Sequence, residues 1–206
     1  MSLRLHHVFC FTEPDPPPLA GLIESFRRAH PGQGTTNLCH VFGDAYLELL
    51  WEVDRAEITA PALARTGLAE RARWRDTGAC PFGLCLTAPP AGAAPPFAAW
   101  DYEPPFLPPG MGIPVATLSD DVRQPFVFLP PVPGQPAESW QPGLGRIVGL
   151  RLEFPPGVAP APELVALAAA GVLEIAGGER WRMVLSIAAT DGGLRRLALP
   201  DGTWIG

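Results

Sequence analysis

Hydrophobic positions near the start of the chain follow two periods in turn. Leu3, Leu5, His7, Phe9 and Phe11 share one parity, the mark of a strand with one apolar face. The alternation puts His7 on the same side as that apolar row. The proline cluster from Pro14 to Pro18 ends the strand and opens a helix, since proline is tolerated in a first turn. Leu19, Leu22, Ile23 and Phe26 then recur at helical spacing, with Glu24, Arg27 and Arg28 opposite. This predicted helix stops at His30-Pro31-Gly32, because proline disfavours helical geometry in the residue before it.

Two further strands are predicted, Thr35 to Phe42 and Ala45 to Trp51, and the Gly43-Asp44 link between them reads as a tight hairpin. Residues Ile58 to Trp74 read as helical, with Leu63 and Leu68 on an apolar side and arginines on an exposed one. Pro81 to Thr87 is an apolar strand. From Pro89 to Gly145 proline is dense, and each proline removes a ladder donor from any strand that contains it. Trp100, Tyr102, Phe106, Phe126, Phe128 and Trp140 are interleaved with those prolines, whereas disordered linkers are poor in aromatics. The stretch reads as an ordered crossover with short edge strands at 98–102, 113–118 and 125–129. After it come a strand from Arg146 to Phe154, an alanine-rich helix from Ala161 to Ala170 capped by Gly171, and strands at 172–176, 181–188 and 194–199.

Composition narrows the functional classes. The chain has 206 residues, 47% of them hydrophobic, which is enough for one sizeable domain with a real core. Its net charge of −6 argues against a nucleic-acid partner, which would select a basic surface. All fifteen cationic side chains are arginine. With no lysine there is no Schiff-base or pyridoxal-phosphate lysine, and none for a phosphate loop. Gly32-Gln33-Gly34 lacks the third glycine and the strand-to-helix setting of a dinucleotide site. No apolar run reaches the ~18–20 residues needed to span a bilayer, and the N-terminus lacks a signal-peptide layout. A cytoplasmic protein without membrane partners is the expectation. Cys10, Cys39, Cys80 and Cys85 make no CxxC pair and read as small buried hydrophobes. Cys39, beside His40, is the one candidate for a reactive thiol.

The run His30-Pro31-Gly32-Gln33-Gly34-Thr35-Thr36-Asn37, followed by Ala45-Tyr46-Leu47-Glu48-Leu49-Leu50-Trp51, carries the most specific signal. With the Leu5-His6-His7-Val8 strand before it, this region resembles the N-terminal module of glyoxalase-like proteins of the vicinal oxygen chelate superfamily. The resemblance implies an α+β single domain of two βαβββ-like modules. These would form curved mixed sheets around a cleft, joined by the proline-rich crossover. Module one would cover residues 1–88, the crossover 89–144 and module two 145–206.

The resemblance also implies site residues. His7 matches the first-strand histidine of the metal set and Glu48 the glutamate of a later strand, a pair suited to zinc, nickel, iron or manganese. The strands where a second pair would stand hold Gly83, Gly145 to Gly149, and Arg195 with Arg196, so the set is incomplete. Glu48 doubles as a candidate general base, because a buried carboxylate with a raised pKa can remove a proton next to a carbonyl. Thr35 and Asn37 share the parity that would face Glu48 and are candidate pocket contacts, with Trp51 and the crossover aromatics lining a cavity. Two functional readings lead, ahead of a third in which the cleft is vestigial and the role is assembly. One is a lyase or isomerase acting on a small carbonyl-containing or aromatic molecule. The other is a metal-independent protein that binds such a molecule without catalysis. Modules can pair within a chain or between chains, so a homodimer is among the arrangements the sequence allows.

Overall fold

The computed structural model describes residues 3–16, 19–87, 94–132 and 141–205. Trp140 and the start of the proline-rich stretch at Pro89 lie outside the described residues. The fold is mixed α and β: two curved mixed sheets, of eight and five strands, with few helices. The first sheet is built from β1 (Leu5–Phe11), β2 (Phe26–His30), β3 (Thr35–Phe42), β4 (Ala45–Glu52), β5 (Phe82–Leu86), β6 (Ala99–Tyr102), β7 (Ile113–Ala116) and β8 (Phe126–Phe128). Its order is β2-β3-β4-β1-β5-β8-β7-β6. Strand β1 runs parallel to β4, and β4, β3 and β2 follow antiparallel. Beyond the antiparallel β1–β5 seam the pattern recurs: β5 is parallel to β8, with β7 and β6 antiparallel after it. The proline-rich stretch therefore supplies three short strands of this sheet. Of these only β6 lies at an edge.

The second sheet takes β9 (Leu144–Phe154), β10 (Glu174–Gly177), β11 (Arg182–Ala189), β12 (Leu194–Leu199) and β13 (Thr203–Ile205), in the order β10-β9-β11-β12-β13. The main core lies between the sheets: Val8, Cys10, Leu47, Leu49 and Leu84 pack with Leu150, Leu152, Met183, Leu185 and Leu197. The apolar parity of each strand accounts for this, because alternate residues face the partner sheet. Helix α4 (Pro162–Ala169) adds Leu164 and Leu167 to the same core. The opposite face of the eight-stranded sheet carries a second apolar cluster, in which Phe9, Phe11 and Phe126 meet Ile58, Leu63 and Leu68. The candidate site lies on that face.

Two stretches differ from their periodicity. No helix forms across Leu19 to Arg28. Gly21 adopts φ +81°, Ser25 N–H donates to the Cys39 carbonyl, and residues from Phe26 pair with β3 as a strand. A helix that short is marginal in water, and the exposed edge of β3 offers a complete ladder instead. The Gln141 side chain completes the arrangement. Its amide accepts from Ile23 N–H at 2.6 Å and donates to Ile23 C=O at 2.9 Å, as a neighbouring strand would.

The helical insert is broken into α1 (Arg55–Ile58), a 3₁₀ turn at Pro61–Thr66, α2 (Leu68–Ala72) and α3 (Trp74–Thr77). Pro61 and the left-handed Gly67 impose the breaks. Arg71 is not on an exposed side. It is fully buried, and its guanidinium donates to the carbonyls of Cys80, Val122, Gln124 and Ser119. No helix among the described residues is long and apolar enough to cross a membrane.

Candidate functional site

A cavity of about 470 Å³ opens on the face away from the main core. Phe9, Phe26, Tyr46, Phe106, Phe126 and Phe128 make apolar walls, and His6, His7, His30, Asn37 and Glu48 place polar atoms inside. An aromatic enclosure with a few converging polar groups is the usual form of a small-molecule site. Arg28 is the one cationic side chain among the described lining residues.

Adjacent residues of a strand normally face opposite ways, yet His6 and His7 both line this cavity. The β1–β5 register shifts between Leu5 and His7, and the irregularity turns both imidazoles to one side. It also moves Leu5 from the parity of Phe9 to the other face, where it packs on the main core. The two Nδ1 atoms stand 2.8 Å apart, so one donates and the other accepts. His7 stacks on Tyr46 with ring centroids 4.3 Å apart.

Glu48 is directed inward by β4, whose alternate residues Tyr46, Glu48 and Leu50 line the cavity while Leu47, Leu49 and Trp51 enter the main core. Asn37 Nδ2 donates to Glu48 Oε1 at 2.6 Å, a contact that follows from the β3–β4 register, in which Cys39 opposes Glu48 and Asn37 opposes Leu50. Burial pushes the Glu48 carboxyl up to about 7, while the Asn37 hydrogen bond and the Arg28 charge pull the other way. His7 Nε2 is 3.7 Å from Glu48 Oε2. Burial first, then His6 and Arg28, hold His7 well below the usual imidazole range. Both shifts favour the neutral forms, so the contact is not an ion pair. Among the described residues Glu48 Oε2 has no hydrogen-bond partner, His7 Nε2 standing 3.7 Å away.

The His30–Asn37 run forms the turn between β2 and β3. Gly32 and Gly34 both have positive φ, near +79° and +73°. A Cβ at Gly34 would overlap the Asp54 carbonyl oxygen, so glycine is required there for space as well as conformation. Glu57 Oε2 accepts both of their N–H groups, at 2.7 and 3.0 Å, and pins the turn to α1. The turn's side chains are then linked to one another. Tyr102 OH donates to Gln33 Oε1 at 2.8 Å, Gln33 Nε2 donates to Thr35 Oγ1 at 2.7 Å, and Thr35 Oγ1 lies 2.9 Å from His30 Nδ1. His30 Nε2 ends 3.5 Å from Asn37 Nδ2.

A buried cluster of His6, His7 and Cys85 could hold a metal ion, its ligand atoms all lying within 4.8 Å of one another. Imidazole and thiolate donors suit zinc-like ions. The 2.8 Å His6–His7 contact is shorter than the roughly 3.3 Å between two nitrogens on one tetrahedral ion, so binding through both Nδ1 atoms would open that hydrogen bond. At Gly83 the Phe9 ring occupies the space that any side chain would need. Burial raises the Cys10, Cys39 and Cys85 thiols, and Cys80 to about 12, so in this environment the thiols are neutral. At Cys39 burial and the neighbouring Glu48 outweigh the Arg28 charge, so it lacks the net electropositive surroundings a reactive thiol needs.

The predicted site residues are divided between two faces. His7, Asn37 and Glu48 come together at the cavity floor. Thr35 lies behind the lining, bonded to His30 and Gln33. Trp51 lies across β4 from Glu48 in the main core and does not line the cavity. Sequence reasoning missed His6, hidden by the strand irregularity, and His30, Arg28, Tyr46 and Tyr102. The helix predicted up to Arg28 concealed the hairpin that brings Arg28 and His30 into the site. No family model matches the chain, and no curated protein matches it.

Proposed function

We propose that this chain is a glyoxalase-like protein of the vicinal oxygen chelate type that takes a small carbonyl compound with an aromatic or apolar body. Glu48 acts as the base that removes the proton next to the carbonyl. The observation that carries this reading is a buried carboxyl, poised near neutrality, held by one short hydrogen bond at the floor of an aromatic cavity. Such a group is matched to proton transfer at neutral pH. The strand order repeats about the β1–β5 seam, β1–β4 against β5–β8, which supports a paired-module sheet but with a division other than the expected modules 1–88 and 145–206, since residues from 144 onward form the second sheet. His6, His7 and Cys85 are the residues that would hold a divalent ion, zinc by donor type, which when bound polarises a carbonyl oxygen.

The test is exchange of α-protons. Phenylpyruvate, phenylacetone and phenylacetaldehyde are incubated with protein in D₂O, and loss of the α-proton signal is followed by NMR. The expected result is exchange in the wild type that falls about 10²-fold or more in Glu48→Gln. Saturable binding without exchange would leave the second reading, a binder without catalysis. That reading is favoured by the aromatic walls and by the Phe9 ring filling the space at Gly83. Neither binding nor exchange with any carbonyl compound would remove both.

A further inference from the structure

The turn motif brings a second functional group to the cavity. We propose that His30 Nε2–H and Asn37 Nδ2–H form an oxyanion site beside Glu48, which holds the enolate oxygen of a bound carbonyl compound. The catalytic role of this site rests on the reading of Glu48 as a base. Its geometry does not.

Thr35 Oγ1 is buried, 1% exposed, with Gln33 Nε2 and His30 Nδ1 as its side-chain neighbours. Gln33 is oriented by Tyr102, whose phenolic O–H donates to Oε1, so Nε2 donates to Thr35. The Thr35 oxygen could accept from both neighbours, but its own buried proton has His30 Nδ1 as the one acceptor among its hydrogen-bond partners in the described residues, and it is assigned there. Nδ1 is then an acceptor, and the imidazole proton sits on Nε2. Reversing the chain would leave the Tyr102 proton without a protein acceptor among the described residues.

Asn37 is fixed independently. Its Oδ1 accepts the Arg28 backbone N–H at 2.9 Å, so Nδ2 faces Glu48 and His30. One of its hydrogens is given to Glu48 Oε1. With the proton on Nε2, His30 and Asn37 Nδ2 are two donors 3.5 Å apart that cannot satisfy each other, whereas in the other tautomer Asn37 would donate to His30; both residues line the cavity. An oxygen reaching them would complete both. Burial and the Arg28 charge depress His30 to about 4, so the ring is a neutral N–H donor around neutral pH. Phe106 packs on the ring at 4.6 Å and limits its rotation.

The chemistry balances without a further reactant. Glu48 carboxylate takes the α-proton, the C–H pair becomes a C=C bond, and the carbonyl π pair moves to oxygen, which accepts from His30 and Asn37. Return of the proton from the Glu48 carboxyl to the α-carbon regenerates the carbonyl compound; where the α-carbon bears a hydroxyl, return to the other carbon, with the hydroxyl proton passing to the enolate oxygen, gives the isomer. His30 and Asn37 touch the reacting oxygen. Thr35, Gln33 and Tyr102 are positioning residues that set which nitrogen carries the proton.

The experiment has two readouts on the full chain. Long-range ¹H–¹⁵N correlation on histidine-labelled protein should show His30 as the neutral Nε2–H tautomer, and Thr35→Val should lose that preference. Substituted phenols, including 4-nitrophenol, serve as enolate mimics. Wild-type affinity should rise with phenol acidity. His30→Phe and Asn37→Leu should weaken the most acidic phenols by about tenfold or more, while His30→Gln, which keeps an N–H donor, retains part of the affinity. A neutral Nδ1–H tautomer overturns the proposal, as does phenol binding indifferent to all three changes, or absent altogether. None of these outcomes touches the Glu48 exchange test. Conversely, the expected tautomer and phenol trend without α-proton exchange would keep the oxyanion site and remove the base.

Discussion

Arg71 and Glu48 are both ionisable groups taken out of water, and they differ in how their hydrogen-bonding capacity is used. Arg71 gives its terminal N–H groups to four backbone carbonyls from two loops, and only its Nε lacks a partner. Burial lowers it to about 10, still charged at neutral pH, and no cavity reaches it among those described. Glu48 has one short hydrogen bond, a distant imidazole and a cavity in front of it. Burial by itself therefore marks neither function nor structure. What separates the two is unspent bonding capacity facing open space.

The largest effect should come from Arg71→Met. It strands four carbonyls at once and should destabilise the fold by about 3–5 kcal/mol in urea unfolding. A loss under about 1 kcal/mol would mean that the carbonyls find other donors, and the contrast with Glu48 would weaken.

Glu48→Gln should act the opposite way on stability. The Glu48 carboxyl titrates near 7 in the native protein against 4.5 ordinarily, so the unfolded chain loses its proton first and native stability falls as pH rises across that window. His7, His30 and His40 are shifted down, so they remove stability as pH falls below about 6.5. Three histidines outweigh one carboxyl where the windows overlap. Stability should rise with pH through the sixes and level off above about 7, where ionisation of Glu48 offsets what the histidines still add. Glu48→Gln should rise more steeply, its advantage over the wild type growing across about pH 4.5–7 to about 3 kcal/mol at about pH 8. Denaturation curves across pH decide this, and an unchanged profile would sink the assignment of a raised carboxyl.

Gly34→Ala forces a side chain into a left-handed turn against the Asp54 carbonyl. It should lose about 1–3 kcal/mol and weaken phenol binding, because His30 and Asn37 are placed by that turn. Stability loss with binding intact would separate the turn from the site. Trp51→Phe should be the quietest at the cavity, with affinity for carbonyl ligands within about twofold, since Trp51 lies on the other face of β4. A larger loss would show that the two faces of the strand are coupled.

Much of the fold was legible in the chain because strand parity and turn chemistry are local. The alternation in β1, β3 and β4, the Gly43-Asp44 link and the short crossover strands each follow from a few neighbouring residues. Glu48 and Asn37 were legible as cavity residues for the same reason: parity places them on one face once β3 and β4 pair. Leu19 to Arg28 was misread because a short amphipathic repeat has little helical stability of its own, and the free edge of β3 together with Gln141 decided its conformation.

Sequence by itself determined the chemical inventory: no lysine, four thiols without a pairing motif, a glycine turn, and a glutamate among apolar strand residues. Tertiary structure decided what that inventory does. An irregularity in β1 turns His6 beside His7, the β2–β3 hairpin sets His30 against Asn37, and Gly83 yields its space to Phe9. These outcomes depend on residues far apart in the chain competing for the same volume and the same hydrogen bonds, which no local pattern records.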